Sequence, residues 1–142
     1  MEHSLKISAT IITFNEEKKI ERCLQSLVAV ADEIIVVDSY SSDQTENVCR
    51  KYPVKFLKRA FDGYVSQKNY AAEQASYDHV LSLDADEALS DELRDSIMTV
   101  KAGWDINCDG YSFNRFNNYC GKWIRFCGWY PDRKIRFWDR RK

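Results

Sequence analysis

Glu33-Ile34-Ile35-Val36-Val37-Asp38 decides how this chain folds. Its four central residues are all β-branched and apolar, and a carboxylate closes each end. A strand with one wet face alternates apolar and polar residues; this one does not, so both of its faces are covered, as in a parallel sheet. Upstream, Ile7 to Thr13 reads as a second buried strand, and a helix is expected from Glu16 to Val28. Asn15 is its expected N-cap, acidic residues fill its first turn, and Ile20, Leu24, Leu27 and Val28 fall at helical spacing. Downstream, Ser39 to Asp43 is a loop, and Ser42 or Asp43 is the expected cap of a helix that Pro53 stops after Tyr52. Strands at Val54 to Leu57 and Val80 to Leu83 enclose a helix from Tyr64 to Ala75. Ser90 then caps an acidic-fronted helix carrying Leu93, Ile97 and Val100. Strand and helix alternate four times, which predicts an α/β protein with a mostly parallel open sheet flanked by helices. After residue 108 the pattern turns to β segments, Gly110 to Asn117 and Lys134 to Trp138, giving a β-rich C-terminal segment.

The 142 residues, 44% of them hydrophobic, amount to a single domain with material for a real core. The longest uncharged apolar run, Leu27 to Ala31, is too short to span a bilayer, and Met1 to Lys6 leads into a strand rather than a signal-peptide core. A cytoplasmic location is therefore expected. Cys23, Cys49, Cys108, Cys120 and Cys127 are odd in number and contain no Cys-x-x-Cys, so reduced thiols are expected rather than disulfides or zinc. His3 and His79 have no sequence neighbours that suggest a metal or catalytic role. Charge is uneven: residues 1–114 hold 12 Lys and Arg against 20 Asp and Glu, and residues 115–142 hold 9 against 2. Such asymmetry implies a polyanionic partner for the basic end or a pairing of the two halves within the molecule. The basic residues alternate with Phe116, Tyr119, Trp123, Phe126, Trp129, Tyr130, Phe137 and Trp138. That pattern suits a single-stranded nucleic-acid surface or an amphipathic sheet with a buried aromatic face. The sheet is the expectation, and no nucleic-acid partner.

Leu81-Ser82-Leu83-Asp84-Ala85-Asp86-Glu87 runs a short apolar strand into three carboxylates. Acids packed this closely repel one another unless a bound cation or a basic partner neutralises them. Oxygen ligands select hard ions such as Mg²⁺ or Mn²⁺, which keep positions open for water and phosphate. In open α/β sheets ligands bind beyond the carboxyl ends of the strands. Here those ends are Thr13-Phe14-Asn15-Glu16, Asp38 and Asp84-Ala85-Asp86, so polar groups converge on one edge. A phosphoacceptor domain would carry its nucleophilic Asp after the first strand, where this chain has Thr13 and Asn15.

Four ordered motifs carry a resemblance: Ile11-Ile12-Thr13-Phe14-Asn15-Glu16-Glu17; Val36-Val37-Asp38-Ser39-Tyr40-Ser41-Ser42-Asp43-Gln44-Thr45; Gln67-Lys68-Asn69; and Leu83-Asp84-Ala85-Asp86-Glu87. Together they are similar to the motifs of family 2 glycosyltransferases, which have the Rossmann-like GT-A fold. Trp129-Tyr130-Pro131-Asp132 and Ile135-Arg136-Phe137-Trp138 further resemble the bacterial branch that builds the lipopolysaccharide core, including its glucosyltransferases. The resemblance covers nearly the whole chain. It implies a donor-binding half, 1–108, followed by the start of an acceptor-side region, 109–142, in a GT-A domain truncated at its C-terminus. It also implies that Thr13, Asn15 and Glu16 lie beside base and ribose and that Asp38 hydrogen-bonds the base, commonly uracil. Lys68 and Asn69 would line the donor site with Lys68 near phosphate. Asp84, Ala85 and Asp86 would form the element that holds Mg²⁺ or Mn²⁺, with Asp86 ligating the metal directly, Asp84 contacting ribose or the metal through water, and Glu87 supporting them. Ser39-Tyr40 depart from the family's commoner Asp-Gly at that point of the loop.

The activity so implied is inverting, metal-dependent transfer of a sugar from a nucleotide-sugar, a UDP-sugar first, to a lipopolysaccharide core or similar glycan acceptor. The basic C-terminal segment would face acceptor phosphates or the inner membrane as a peripheral contact. Inversion needs a general base opposite the diphosphate. Only Asp132 and Asp139 follow Asp109, so the base is expected beyond Lys142. The alternative is a non-catalytic nucleotide-sugar-binding module that lacks its base.

Overall fold

A computed structural model describes residues 4–119, 122–124 and 132–142, giving the backbone alone for 117–119, 122–124 and 132. The elements are β1 Ile7–Thr13, α1 Ile20–Val28, β2 Glu33–Asp38, α2 Thr45–Cys49, β3 Lys55–Lys58, α3 Tyr64–Glu73, β4 His79–Asp84, α4 Asp91–Ala102, β5 Gly110–Arg115, β6 Asn117–Tyr119, β7 Lys122–Ile124 and β8 Asp132–Asp139. Six strands form one sheet in the order β3-β2-β1-β4-β8-β5, and β6 pairs with β7. β3, β2, β1 and β4 are mutually parallel, whereas β8 runs antiparallel to both β4 and β5. The chain steps from β1 to β2 on one side and to β4 on the other. That reversal of strand order leaves a crevice beyond the carboxyl end of β1.

Both sheet faces are covered, as the unbroken apolar run of β2 requires. Ile7, Ala9 and Ile11 of β1 pack with Ile34, Val36, Leu81 and Leu83 against Ile20, Leu24 and Leu27 of α1, Cys49 of α2 and Ile97 of α4. On the other face Ile35, Val37 and Val80 pack against Ala71 of α3 and against Ala75. Each wholly buried Ile, Leu or Val contributes roughly 1.5–3 kcal/mol. β1 also buries Ser8; its hydroxyl donates to Glu33 Oε2 at 2.6 Å and accepts from the Tyr77 N–H at 3.1 Å. Cys23 and Cys49 are buried free thiols and Cys108 is half-buried; Cys120, Cys127 and His3 lie outside the described residues.

Several local expectations are corrected. α1 begins at Ile20 rather than near Glu16, and no side chain caps it. Asn15 instead takes φ 50°, which Asn tolerates better than most residues. Its Oδ1 accepts the Ser42 N–H at 2.8 Å, stitching the loop after β1 to the loop after β2. α2 is shorter than expected and has no side-chain cap at its own boundary, although Asp43 Oδ1 accepts the Thr45 N–H at 3.0 Å. Ser90 caps α4 as expected, accepting the Leu93 N–H at 3.1 Å.

Among the described aromatic residues of the C-terminal segment Phe137 is buried and Tyr111, Phe113, Phe116 and Trp138 are half-buried; Trp104 meets Tyr111 and Phe137 edge-on at 5.0 and 5.1 Å. β5 and β8 approach so closely that a Cβ on Gly110 would lie 2.9 Å from the Phe137 carbonyl oxygen. Tyr119 and Trp123 are described in backbone only, and Phe126 and the Trp129-Tyr130-Pro131 motif lie outside the described residues. Of the two explanations for the charge asymmetry, pairing within the molecule is visible. Arg136 meets Glu87, Arg140 and Arg141 meet Asp78, and Lys142 meets Asp109. Arg133 and Lys134 are exposed. No helix among the described residues is long and apolar enough to cross a membrane.

Candidate functional site

Register fixes the site. Thr13 pairs with Asp38 across β1 and β2, and Ile12 pairs with Asp84 across β1 and β4, so the two aspartates flank the last two residues of β1, one register step apart. A cleft of ≈ 670 Å³ opens there, lined by Ile12 and Thr13 of β1 with Phe14 and Glu16 just after it, Ser39 just after β2, Phe61, Tyr64 and Gln67 at the entry to α3, and Asp84 of β4 with Ala85 and Asp86 just after it. Of the residues anticipated from sequence, Thr13, Glu16, Asp84, Ala85 and Asp86 share this lining. Lys68 reaches it from α3, with Nζ 3.0 Å from Asp84 Oδ1. Asn69, one position round the helix, is exposed and does not line the cleft. Asn15 is committed to the Ser42 stitch.

Asp38 is buried, and its carboxylate is turned into the following loop, where it accepts the Ser41 N–H at 2.9 Å and the Ser41 hydroxyl. These two hydrogen bonds span Tyr40, which takes φ 59°, a conformation that costs an ordinary side chain about 1–2 kcal/mol and that glycine adopts freely. The Ser-Tyr departure from Asp-Gly thus comes with its own compensating anchor.

The acidic turn is held from three sides. Glu87 Oε1 accepts the Asp84 N–H at 2.8 Å, and the Glu87 N–H donates to the Asp84 carbonyl at 3.0 Å. From α1, Arg22 donates to the Asp86 carbonyl at 3.3 Å. From β8, the buried Arg136 sets Nη1 3.1 Å and Nη2 3.3 Å from the two Glu87 oxygens and Nη2 3.8 Å from Asp84 Oδ2. Burial raises the Glu87 carboxyl above its ordinary pKa, against the Asp84 N–H and Arg136, which lower it. Glu87 is therefore a brace of the turn. Nothing in composition or spacing singles out Arg136 among nine basic residues of the tail; only its place in the Ile135-Arg136-Phe137-Trp138 motif marks it.

Three polar atoms here have no hydrogen-bond partner although they are buried: Thr13 Oγ1, Asp84 Oδ1 and Arg136 Nη1. Lys68 and Glu87 lie within ion-pair distance of the latter two but out of hydrogen-bond alignment. Thr13 Oγ1 is thus the one of the three with neither a hydrogen bond nor an ion-pair partner among the described residues, and a buried group of that kind calls for an explanation. The Asp86 carboxylate is exposed and has no partner among the described residues. Those residues contain no group of three or more His, Cys, Asp or Glu gathered as a complete protein cage. Asp84, whose Oδ1 is met by the Lys68 ammonium alone, and Asp86, which has no partner among the described residues, fit an ion of the Mg²⁺ or Mn²⁺ type, which takes one or two protein carboxylates and fills its shell with water and phosphate.

An open α/β sheet with a hard-oxygen turn in its switch-point crevice defines a class of proteins that hold phosphate-bearing ligands beyond the strand ends. Within that class the chain belongs to glycosyl transferase family 2, whose sequence profile matches residues 8–128. An uncharacterized glycosyltransferase of Rickettsia bellii is 47% identical over 65% of this chain and 31% of its own length. The lipopolysaccharide core biosynthesis glycosyltransferase LpsC of Rhizobium meliloti is 38% identical over 71% of this chain and 39% of its own length. S. aureus TarS 1-349, solved with UDP-GlcNAc, superposes with a TM-score of 0.58 at 32% identity, covering 68% of this chain and 31% of that one. Glucosyl-3-phosphoglycerate synthase from Mycobacterium tuberculosis, solved with Mn²⁺, UDP and phosphoglyceric acid, gives 0.51 at 27% identity over 57% and 33%. The sheet and its helices are of the GT-A glycosyltransferase type. The chain spans about a third of the length of the curated relatives it matches.

Proposed function

We propose that this chain forms the donor half of an inverting, metal-dependent glycosyltransferase that takes its sugar from a UDP-sugar. The observation that carries the reading is the convergence of Thr13, Glu16, Asp84 and Asp86 on one cleft, with Lys68 beside Asp84. UDP-GlcNAc in TarS and UDP with Mn²⁺ in the mycobacterial synthase support the choice of donor and ion. The likeness to LpsC supports a lipopolysaccharide core intermediate or a related glycan as acceptor.

Breaking the anomeric carbon–oxygen bond leaves negative charge on the departing diphosphate while the sugar becomes oxocarbenium-like. Asp84 and Asp86 are the residues that would hold Mg²⁺ or Mn²⁺, which supplies Lewis-acid stabilisation of that charge. Lys68, at the edge of the acidic turn, adds a second positive charge on the diphosphate side. Glu87 and Arg136 keep the turn in one shape before the donor arrives, so little reorganisation is left for the reaction. The acceptor hydroxyl must lose its proton to a base on the opposite face of the sugar. Asp139 is unsuited to be that base, because it is buried at the other end of β4, beside His79, and bound to Arg141.

Titration calorimetry of UDP into the protein, with Mn²⁺ and with chelator, tests the reading. Metal-dependent binding that Asp86→Ala abolishes is the expected result. Metal-independent binding, or binding indifferent to Asp86→Ala, would refute it.

A further inference from the structure

α3 is anchored by a polar side chain. Of its ten residues only Gln67 and Ala71 are buried, so one amide and one methyl group stand where a helix normally presents an apolar stripe. Gln67 is wholly enclosed, with both ends of its amide engaged. Its Oε1 accepts from Arg59 Nη1 at 2.8 Å, and its amide N–H groups donate to the Ser39 hydroxyl at 3.2 Å and the Arg59 carbonyl at 3.4 Å. A guanidinium only donates, so the oxygen of the amide must face it and the amide has one orientation here. Ser39 in turn donates its backbone N–H to the Thr13 carbonyl at 3.0 Å, and the Arg59 N–H donates to the Asp38 carbonyl at 2.9 Å. Arg59 also binds Asp62 at 2.9 Å and Ser66 at 3.2 Å, and its guanidinium lies 4.9 Å from the centre of the Tyr70 ring. Through one side chain α3 is thus tied to the loops that follow β2 and β3 and, by way of Ser39, to the end of β1.

Apolar burial is non-directional and would hold α3 to the sheet without fixing its rotation, whereas three hydrogen bonds at one position fix it. Neighbouring residues of a helix diverge by about 100°. With Gln67 locked onto Ser39 and Arg59, Lys68 is turned toward β4, where its Nζ lies 3.0 Å from Asp84 Oδ1. A lysine carries its charge on a flexible four-carbon stem, so the place of that charge is only as well defined as the backbone beneath it. We infer that Gln67 is a positioning residue for Lys68, setting the ammonium against Asp84 before the donor binds and against the diphosphate afterwards. This inference rests on the donor-cleft reading above.

Its test is a double-mutant cycle of Gln67→Met and Lys68→Met, each variant shown by a thermal melt to be folded. Inorganic pyrophosphate with Mn²⁺ is followed by titration calorimetry, and Mn²⁺ alone by electron paramagnetic resonance. Lys68→Met is expected to weaken pyrophosphate by about 10- to 150-fold, the worth of a charged hydrogen bond. Gln67→Met is expected to weaken it by at least about 2-fold, and the double variant to bind it no more weakly than Lys68→Met alone. Because Lys68 and Mn²⁺ compete for Asp84, Gln67→Met is also expected to tighten Mn²⁺ in the absence of pyrophosphate, the opposite of what a loosened fold does. Losses that add in the double variant, or Mn²⁺ binding that is weaker or unchanged in Gln67→Met, overturn the inference. Pyrophosphate affinity unchanged in either single variant overturns it too and leaves the donor cleft standing. Where Gln67→Met does not fold, Arg59→Met, which removes the partner of Gln67 Oε1 from outside the cleft lining, takes its place in the cycle with the same expected and overturning results. A wild-type protein that binds neither pyrophosphate nor UDP overturns the donor-cleft reading and this inference together.

Discussion

Lys68 Nζ lies 3.0 Å from Oδ1 of Asp84, so the acid turn of β4 is met by an ammonium from α3. The pair stands where a divalent cation and a diphosphate would each make a claim, one on the carboxylate and the other on the amine. With both side chains about a third exposed, such a pair is worth about 0.2–1 kcal/mol. Lys68→Met should therefore tighten Mn²⁺ binding in the absence of nucleotide by about 1.5- to 5-fold and weaken UDP binding. Electron paramagnetic resonance of free Mn²⁺ reads the first effect. Unchanged Mn²⁺ affinity would mean that Lys68 does not compete for Asp84.

Arg136 braces Glu87 while both are largely out of water. Removing one member of a buried pair strands the other, whereas replacing both by apolar groups is often close to neutral. Arg136→Leu should cost about 3 kcal/mol in urea unfolding. Arg136→Leu with Glu87→Leu should recover at least half of that loss. A double variant as unstable as the single one would show that the ion pair is not what Arg136 contributes.

Ser8 joins three segments through one buried hydroxyl, donating to Glu33 and accepting from the Tyr77 N–H. Burial pushes the Glu33 carboxyl up, but bonds from Ser8 and from the Ser76 N–H and hydroxyl outweigh it and leave its pKa below the ordinary value. Ser8→Ala leaves the Tyr77 N–H without this partner and should cost about 1–3 kcal/mol. Chemical denaturation measures it; a loss under about half a kcal/mol would be too small for this role.

Acid stability depends on Asp139. The Arg141 guanidinium, with the Arg141 N–H, holds its carboxyl well below the usual aspartate range despite burial. The unfolded chain therefore binds more protons than the folded one as pH falls through the ordinary value near 3.9. The resulting stability is complete above about pH 5 and is lost as the pH falls toward the folded pKa. His79, 3.9 Å away, acts in the same direction, since burial pushes its pKa down and the unfolded chain protonates first near pH 6.5. Asp139→Asn should be less stable at pH 7 and should show a flatter decline between about pH 5 and pH 2. Parallel wild-type and variant declines in that window would remove Asp139 from the account.

Of the strands that frame the cleft, β1 and β2 were legible to the residue, and β4 extends one residue beyond the expected Val80–Leu83 at each end. β1 and β2 span Ile7–Thr13 and Glu33–Asp38 as their β-branched runs and bounding charges predict. Loop chemistry was not. Asn15 carries the signature of an N-cap, but its partner Ser42 lies 27 residues away, and α1 starts a full turn later. Gln67 stood in a motif beside Lys68, yet only its complete burial between Ser39 and Arg59 shows that it supports the loop bearing Phe61 and Tyr64.

The sequence by itself determined the alternation of strand and helix, the covered parallel sheet, and hence the edge at which Thr13, Asp38 and Asp84 gather. Those properties follow from local periodicity and from the handedness of crossovers, which neighbouring residues encode. Tertiary structure alone decided how the charges are spent. Asp38 is bound to Ser41, Lys68 meets Asp84, and Arg136 grips Glu87 across 49 residues because β8 enters the sheet antiparallel beside β4. Ion pairs depend on distance and burial once the strands are in register, and no spacing along the chain contains either.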